Sequence, residues 1–141
     1  MKIISRVTVT EDTLSKFIGS KFKWGSNDCT TIAYKHLRKM GHKVKKSGHS
    51  KYNTLIGAQR ALKEMGFTDT SDAMDYYLER IPYALIQVGD LVGLDGESGM
   101  TAITVYVGNG RVLGFSENTD ECVVMQPLEF PKMVWRVECL M

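Results

Sequence analysis

The spacing of the apolar residues changes once along this chain of 141 residues, and that change limits the folds open to it. Up to about residue 80, apolar residues recur every three or four positions, as on the buried face of a helix. From Asp90 onward they form short runs rich in valine, isoleucine and aromatic residues, which is typical of β-strands. Helices followed by consecutive strands predict an α+β fold with an antiparallel sheet. The length suits one domain, so we predict a single domain over residues 1–141.

This pattern and its flanking residues predict four helices and five strands. The first helix should open at Thr10, where a hydroxyl precedes two acids, and the second after Asp28, whose carboxylate can cap it. The third should begin near Thr54, and a shorter fourth helix should end before Pro82. The predicted strands span residues 90–94, 100–107, 111–115, 122–125 and 133–137, with a hairpin turn at Gly108-Asn109-Gly110.

The cysteine count and the hydropathy indicate the compartment in which the protein is made. An odd number of cysteines with no close pair argues against a disulfide framework and a metal centre, and no motif indicates a cofactor. The N-terminus lacks the apolar stretch of a signal peptide, and no apolar run approaches the ~20 residues of a membrane span. We therefore expect a protein made in a reducing cytoplasm, without a membrane span. Cys122 and Cys139, in strand-like runs, are expected to be buried and inert.

Charge is distributed unevenly along the chain. The stretch from Lys35 to Lys51 holds seven basic residues and no acid, whereas the chain from Ile86 onward holds eight acids and three basic residues. One interpretation is an oriented surface for a charged protein partner, and the other is an ordinary solvated face. A nucleic-acid site is the weaker hypothesis, because the basic stretch lacks the interleaved aromatic residues that stack on bases.

Cys29 is the residue with the clearest chemical potential. It follows a glycine-containing loop and Asp28, at the first turn of the second predicted helix. A helix N-terminus stabilises thiolate over thiol, so the position predicts a lowered pKa and a nucleophilic sulfur. Trp24 can form one wall of a cleft beside it, and Gly25 lets the backbone turn closely past. The alternative is a small buried apolar residue, which is what a single cysteine near a helix start most often is.

Several motifs occur in the order found in one enzyme family. Trp24-Gly25 and Asp28-Cys29 are followed by Gly89-Asp90-Leu91-Val92 and by a strand that ends Val105-Tyr106-Val107-Gly108-Asn109-Gly110. This order resembles the NlpC-type family of papain-like cysteine peptidases, which cleave γ-D-glutamyl bonds in cell-wall stem peptides. The resemblance covers residues 20–115 and implies an NlpC-type fold with Cys29 as nucleophile and Asp90 as a supporting residue.

A second set of residues is similar to a phage-encoded branch found among tail-assembly genes. That set comprises Tyr52, Thr54, Gly57 and Ala58, the Arg60-Ala61-Leu62 helix and the terminal Trp135-Arg136-Val137. The resemblance implies a component of the virion tail, with other tail proteins as partners and cell-wall peptides as a further candidate ligand.

The chain departs from the enzyme pattern where the catalytic histidine belongs. Alignment on the Gly-Asn-Gly turn puts Ala102 in the place of that histidine and Gly114 in the place of the residue that orients it. The alternation of a strand puts Ala102, Thr104 and Tyr106 on one face, which we expect to face the cysteine helix. A thiol without an imidazole lacks its general base and acid, a loss of about 10²–10⁴ in rate.

Two hypotheses follow from these residues. The first is a virion or tail-assembly component that keeps a degenerate peptidase fold for a structural or protein-binding role. The alternative is an active thiol endopeptidase or amidase that cleaves stem peptides during phage entry, with Cys29 as nucleophile. The missing histidines favour the first hypothesis, and the retained Trp-Gly and Asp-Cys motifs favour the second.

Overall fold

The computed structural model describes residues 2–44, 52–96, 99–115 and 120–140, with side chains from Arg6 onward. These ranges form four α-helices: α1 (Lys2–Phe17), α2 (Cys29–Lys39), α3 (Leu55–Glu64) and α4 (Thr70–Tyr77). They also form six strands and a 3-10 turn at Tyr83–Leu85: β1 (Glu79–Arg80), β2 (Leu91–Leu94), β3 (Ala102–Gly108), β4 (Arg111–Gly114), β5 (Val123–Met125) and β6 (Met133–Arg136). The predicted α+β class is confirmed.

Helices α2 and α3 begin where the sequence predicts. Asp28 accepts a hydrogen bond from the Thr31 amide at 2.8 Å, and Thr54 accepts one from the Gly57 amide at 3.0 Å, so each caps its helix. Such caps depend only on residues within one turn, which is why they can be recognised in a sequence. Among the described helices, none is long and apolar enough to cross a bilayer.

Helix α1 begins at Lys2, so the predicted start at Thr10 is wrong. The Thr10 hydroxyl does not cap the helix; it donates to the Arg6 carbonyl one turn earlier, at 2.9 Å. A hydroxyl in a helix interior commonly bonds in this way, and the sequence pattern of a cap is then misleading.

The strands form one antiparallel sheet in the order β1-β6-β2-β3-β4-β5. The described chain therefore has one strand more than the five predicted. The extra strand is β1, whose two residues pair with Trp135 and Arg136 of β6. It follows α4, which ends at Tyr77, before Pro82 as predicted. The predicted hairpin joins β3 to β4, with Asn109 at a φ of 54°.

The two faces of the sheet carry different apolar clusters. On the face covered by helices, Ile103 and Val105 pack with Ile32 and Leu37 of α2 around the fully buried Trp135. On the opposite face, a smaller cluster centres on Val92, Val112 and Val134, with Tyr83 and Tyr106 packed against it. Helix α2 thus packs on β3 through the side chains of Ile103 and Val105.

Asp90, one of the residues of the Gly-Asp motif, is a buried structural charge at the start of β2. Its carboxylate pairs with Arg6 of α1 and, at 3.2 Å, with Nε of Arg136 in β6. It also accepts hydrogen bonds from the backbone amides of Gln87 and Val137, each at 2.9 Å. A fully buried carboxylate is tolerated only when it is paired and hydrogen-bonded in this way. Asp90 therefore joins α1, β2 and β6 and is a structural support.

His36 is fully buried between α1 and the Gly-Asp turn. Its Nε2 lies 2.9 Å from the Gly89 carbonyl oxygen and its Nδ1 lies 2.8 Å from the Thr13 hydroxyl. A carbonyl only accepts, so Nε2 carries the proton, and in the neutral ring Nδ1 accepts from Thr13. The pKa of His36 is lowered from 6.5 to about 4, mainly by burial and to a smaller extent by the charges of Arg6 and His42, against the opposing effects of the Gly89 hydrogen bond and Asp90.

The depressed pKa of His36 predicts a loss of stability in mild acid. The unfolded chain takes up a proton on this imidazole near pH 6.5, whereas the folded chain takes it up only near pH 4. The neutral His36 therefore contributes fully to the free energy of unfolding above pH 6.5. This contribution is lost as the pH falls towards 4, and the free energy of unfolding decreases by about 3 kcal/mol. Urea unfolding of wild type and His36→Gln between pH 4 and 7.5 measures it. The variant should be less stable at pH 7.5 but should depend less on pH.

His42→Gln is the matched control for that experiment, since His42 is only partly buried and bonds the Glu138 carbonyl through Nε2. It should keep most of the pH dependence of the wild type, because burial, and not the charge of His42, is the main cause of the lowered His36 pKa. Parallel curves for wild type and His36→Gln over this range would contradict the assignment of a neutral buried imidazole.

Candidate functional site

Cys29 is the first residue of α2, immediately after the Asp28 cap. Gly25 has a φ of 84°, a left-handed conformation that favours glycine, and its amide donates to Asp28 Oδ2 at 2.9 Å. The other oxygen, Oδ1, accepts from the Thr31 amide at 2.8 Å. One buried carboxylate thus holds both the loop before the helix and the first turn of the helix, and it fixes the position of the half-buried Cys29 side chain.

The pKa of the Cys29 thiol lies above its ordinary value, so the predicted lowering is wrong. Burial is the largest cause, and the neighbouring Asp28 carboxylate raises the pKa further. Hydrogen bonds with the Ile103 backbone and with Thr30 lower it, but by less. The loss of solvation outweighs the effect of the helix N-terminus. The thiol is therefore held in its protonated form at neutral pH.

Cys29 forms a hydrogen bond with the backbone of Ile103, the residue after Ala102, and therefore lies beside the start of β3. The prediction that Ala102, Thr104 and Tyr106 face the cysteine helix is nevertheless wrong, because Ile103 and Val105 occupy that face and strand residues alternate between faces. The Thr104 hydroxyl donates to the Val92 carbonyl at 2.9 Å, and the Tyr106 ring packs in the opposite cluster, its hydroxyl accepting from the Gly110 amide at 3.0 Å. Both side chains support the sheet and its hairpin.

Gly114 is the last residue of β4, and Thr104 occupies the space beside it. A Cβ atom added at Gly114 would lie 2.6 Å from Cγ2 of Thr104, closer than real Cβ contacts come. No imidazole fits at position 114 beside this threonine without displacing it. Ala102 is the first residue of β3 and carries no titratable group.

The histidines that the structure describes are both engaged elsewhere. His36 bonds Thr13 and Gly89 in the core, and His42 bonds the Glu138 carbonyl. The third, His49, lies outside the described residues. Cys122 is fully buried and burial raises its pKa to about 11, while Cys139 is half-buried beyond β6.

Aromatic side chains line the approach to α2. The half-buried Trp24 packs edge-to-face on Phe22, with ring centroids 4.8 Å apart, and Phe22 packs likewise on Phe115 at 5.1 Å. Phe115 directly follows β4, so these rings connect the loop before α2 with the end of that strand. Among the described residues, no group of three or more metal-ligating side chains is close enough to hold an ion.

Tyr52 was not predicted as part of this site, yet its hydroxyl donates to Asp28 Oδ2 at 2.8 Å. Burial raises the pKa of Tyr52 well above its ordinary value, and Asp28 and Cys29 raise it further. The phenol is therefore a permanent hydrogen-bond donor and no acid for a leaving group. Tyr52 lies 24 residues from Asp28 along the chain, so no local sequence pattern predicts their contact.

A family model for a domain of unknown function, DUF6950, matches residues 5–137, nearly the whole chain. The chain belongs to the DUF6950 family. No curated protein sequence matches this DUF6950 chain. Among solved structures, the P60 domain of an antigen from M. avium subspecies paratuberculosis is similar, with a TM-score of 0.62 and 16% identity over 94% of this chain and 95% of that one.

RipD from Mycobacterium tuberculosis is also similar, with a TM-score of 0.50 and 17% identity over 94% of this chain and 97% of that one. It is described as a non-catalytic NlpC/p60 domain protein with an adaptation to peptidoglycan-binding function. At these identities the likeness concerns the fold, and the NlpC/P60 fold expected from the motifs is confirmed.

The arrangement limits the chemistry that the DUF6950 chain can perform. The site combines the neutral Cys29 thiol, the Asp28 carboxylate that caps α2, and the Tyr52 phenol, which keeps its proton. None of these described groups could first activate the sulfur and then protonate a leaving amine. Acyl transfer by a cysteine needs both steps. The described residues of this site can hold a ligand by contact and hydrogen bonding, but they do not form a peptidase triad.

The contact between Gly114 and Thr104 predicts a paired mutational effect. Gly114→Ala should reduce the free energy of unfolding by about 1–3 kcal/mol, because its new methyl group meets Cγ2 of Thr104. Thr104→Ser removes that Cγ2 and keeps the hydroxyl, so the double variant should recover most of the loss. Urea unfolding of the four proteins gives the coupling energy. Additive effects in the double variant would show that Thr104 does not close the space beside Gly114.

Proposed function

We propose that this chain is a non-hydrolytic NlpC/P60-like domain that acts by binding, as a structural component of a phage tail. The observation that carries the proposal is the Cys29 thiol, held neutral by burial and by Asp28. Its neighbours among the described residues supply no imidazole, since His36 and His42 bond elsewhere. A site of this kind keeps a cysteine at the start of a helix, as in a peptidase, but lacks the groups that transfer protons during catalysis.

Two further observations support a binding role. RipD combines a similar fold with a non-catalytic, peptidoglycan-binding function, so the fold can serve in this way. The uneven charge distribution and the residues similar to the phage branch support tail proteins as partners, with cell-wall peptides as a second ligand class. The tail of the virion is the location that this proposal implies.

An active thiol hydrolase is the second candidate. The observation in its favour is the pair of hydrogen bonds, with the Ile103 backbone and with Thr30, that lower the thiol pKa and so stabilise a thiolate. A hydrolase that acts on stem peptides would use Cys29 as its nucleophile and would need a proton donor outside the described part of the chain.

A murein digestion assay separates the two candidates. The purified chain should release no more soluble stem peptide than Cys29→Ala does, because the site lacks a group to protonate the leaving amine. An active NlpC/P60 enzyme serves as positive control, and co-sedimentation with insoluble murein measures binding in the same samples. Turnover that Cys29→Ala abolishes would establish the hydrolase instead.

The proposed tail partner predicts a charge-dependent assembly step. Arg38, Lys39 and Lys43 are exposed in and just after the last turn of α2, and changing all three to glutamate should impair tail assembly. The fold should tolerate these surface changes to within about 0.5 kcal/mol per site. Arg60, Lys63 and Lys132, also exposed, provide a control triple to glutamate of the same charge change. Proteomics of purified particles measures how much of each variant is incorporated into the virion. Normal incorporation of the Arg38, Lys39 and Lys43 variant would contradict the proposal that these residues contact a tail protein.

A further inference from the structure

Tyr52 sits where two glycines leave room for it. A Cβ added at Gly25 would lie 2.0 Å from the Tyr52 carbonyl oxygen, and one added at Gly57 would lie 3.0 Å from Tyr52 Cβ. Gly25 belongs to the loop before α2, and Gly57 lies in the first turn of α3. Two separate segments therefore approach Tyr52 more closely than residues with side chains allow, and they hold it against the start of α2.

The Tyr52 hydroxyl completes the coordination of Asp28. Oδ2 of Asp28 accepts from both this hydroxyl and the Gly25 amide, while Oδ1 caps α2 at Thr31. The carboxylate is only 2% exposed, so its charge is satisfied from within the protein. A ligand that enters beside Cys29 finds this acceptor already occupied by the phenol.

Tyr52 lies near the thiol as well as near Asp28. The negative charge of an ionised Cys29 acts on the Tyr52 hydroxyl and raises its pKa, and burial is the main cause of the raised pKa of each group. A ring held by its hydroxyl on the residue before Cys29 would keep water and reagents from that side of the sulfur. Loss of the ring would admit water, and water favours the ionised thiol.

We propose that Tyr52 covers the Cys29 thiol from the side of Asp28, which closes this side to ligands and keeps the thiol unreactive. The inference rests on the proposed non-hydrolytic function and adds the residue that blocks the site. A cell-wall peptide or a tail protein then binds the domain elsewhere, or it binds here only by displacing Tyr52.

The test is the rate of alkylation by iodoacetamide at each cysteine, resolved by peptide mass spectrometry on the full chain. Cys122 is fully buried and reports global unfolding, so the ratio of labelling at Cys29 to that at Cys122 measures local access. Tyr52→Ala should raise the Cys29 rate at pH 8 about tenfold, as a fall of one unit in thiol pKa would. Tyr52→Phe keeps the ring and should change the rate less than Tyr52→Ala does. Tyr76→Ala, at a tyrosine that is 73% exposed, is the matched control and should leave it unchanged.

Gly57→Ala provides a second route if Tyr52→Ala also exposes Cys122. Its new methyl group crowds Tyr52 Cβ while favouring the helix, so Cys29 labelling should rise with Cys122 still protected. A Cys29 rate within twofold of wild type, in whichever variant keeps Cys122 protected, would overturn the inference. Labelling needs neither murein nor a tail partner, so this failure would be distinct from failure of the proposed function.

Discussion

The packing of this domain depends on one buried charge, the carboxylate of Asp90. It receives Arg6 from the first helix, Arg136 from the last strand, and the backbone amides of Gln87 and Val137. Taking a carboxylate out of water costs several kcal/mol unless such partners replace the solvent. Three of the four donors come from the two ends of the chain, so the charge is satisfied only when α1, β2 and β6 are assembled together. The Gly-Asp motif that suggested a peptidase thus has a structural use here.

The residue before Asp90 determines how α2 lies on the sheet. The Gly89 carbonyl accepts from His36, whose other nitrogen accepts from Thr13 of α1, so one buried imidazole links two helices to this turn. The same helix begins at Cys29, where Asp28 and Tyr52 hold its first turn. His36 is therefore committed to the core, at the far end of the helix from the thiol. A histidine in the sequence is no evidence for catalysis until its hydrogen-bond partners are known.

The environment of Cys29 differs from that of a catalytic cysteine. An active cysteine needs a lowered pKa and a mobile proton, whereas this thiol has a raised pKa and neighbours that do not titrate near pH 7. Position 114, where the family pattern would put the residue that orients the histidine, lies against the methyl group of Thr104, on the face of the sheet turned away from α2. The Asp28 cap and the Gly25 turn also hold the start of α2 in place. These two residues of the motif thus have a structural use that does not depend on catalysis.

The sequence by itself determined the features that depend on neighbouring residues. The caps at Asp28 and Thr54, the hairpin at Gly108-Asn109-Gly110 and the change from helical to strand spacing each depend on contacts within a few residues. The tertiary structure alone decided the start of α1, the edge strand β1, the face of β3 that meets α2, and the contact of Tyr52 with Asp28. A threonine can cap a helix or continue it, and alternation along a strand identifies two faces without saying which is covered. Those choices are made by residues far apart in the chain, whose burial depends on the whole assembled core.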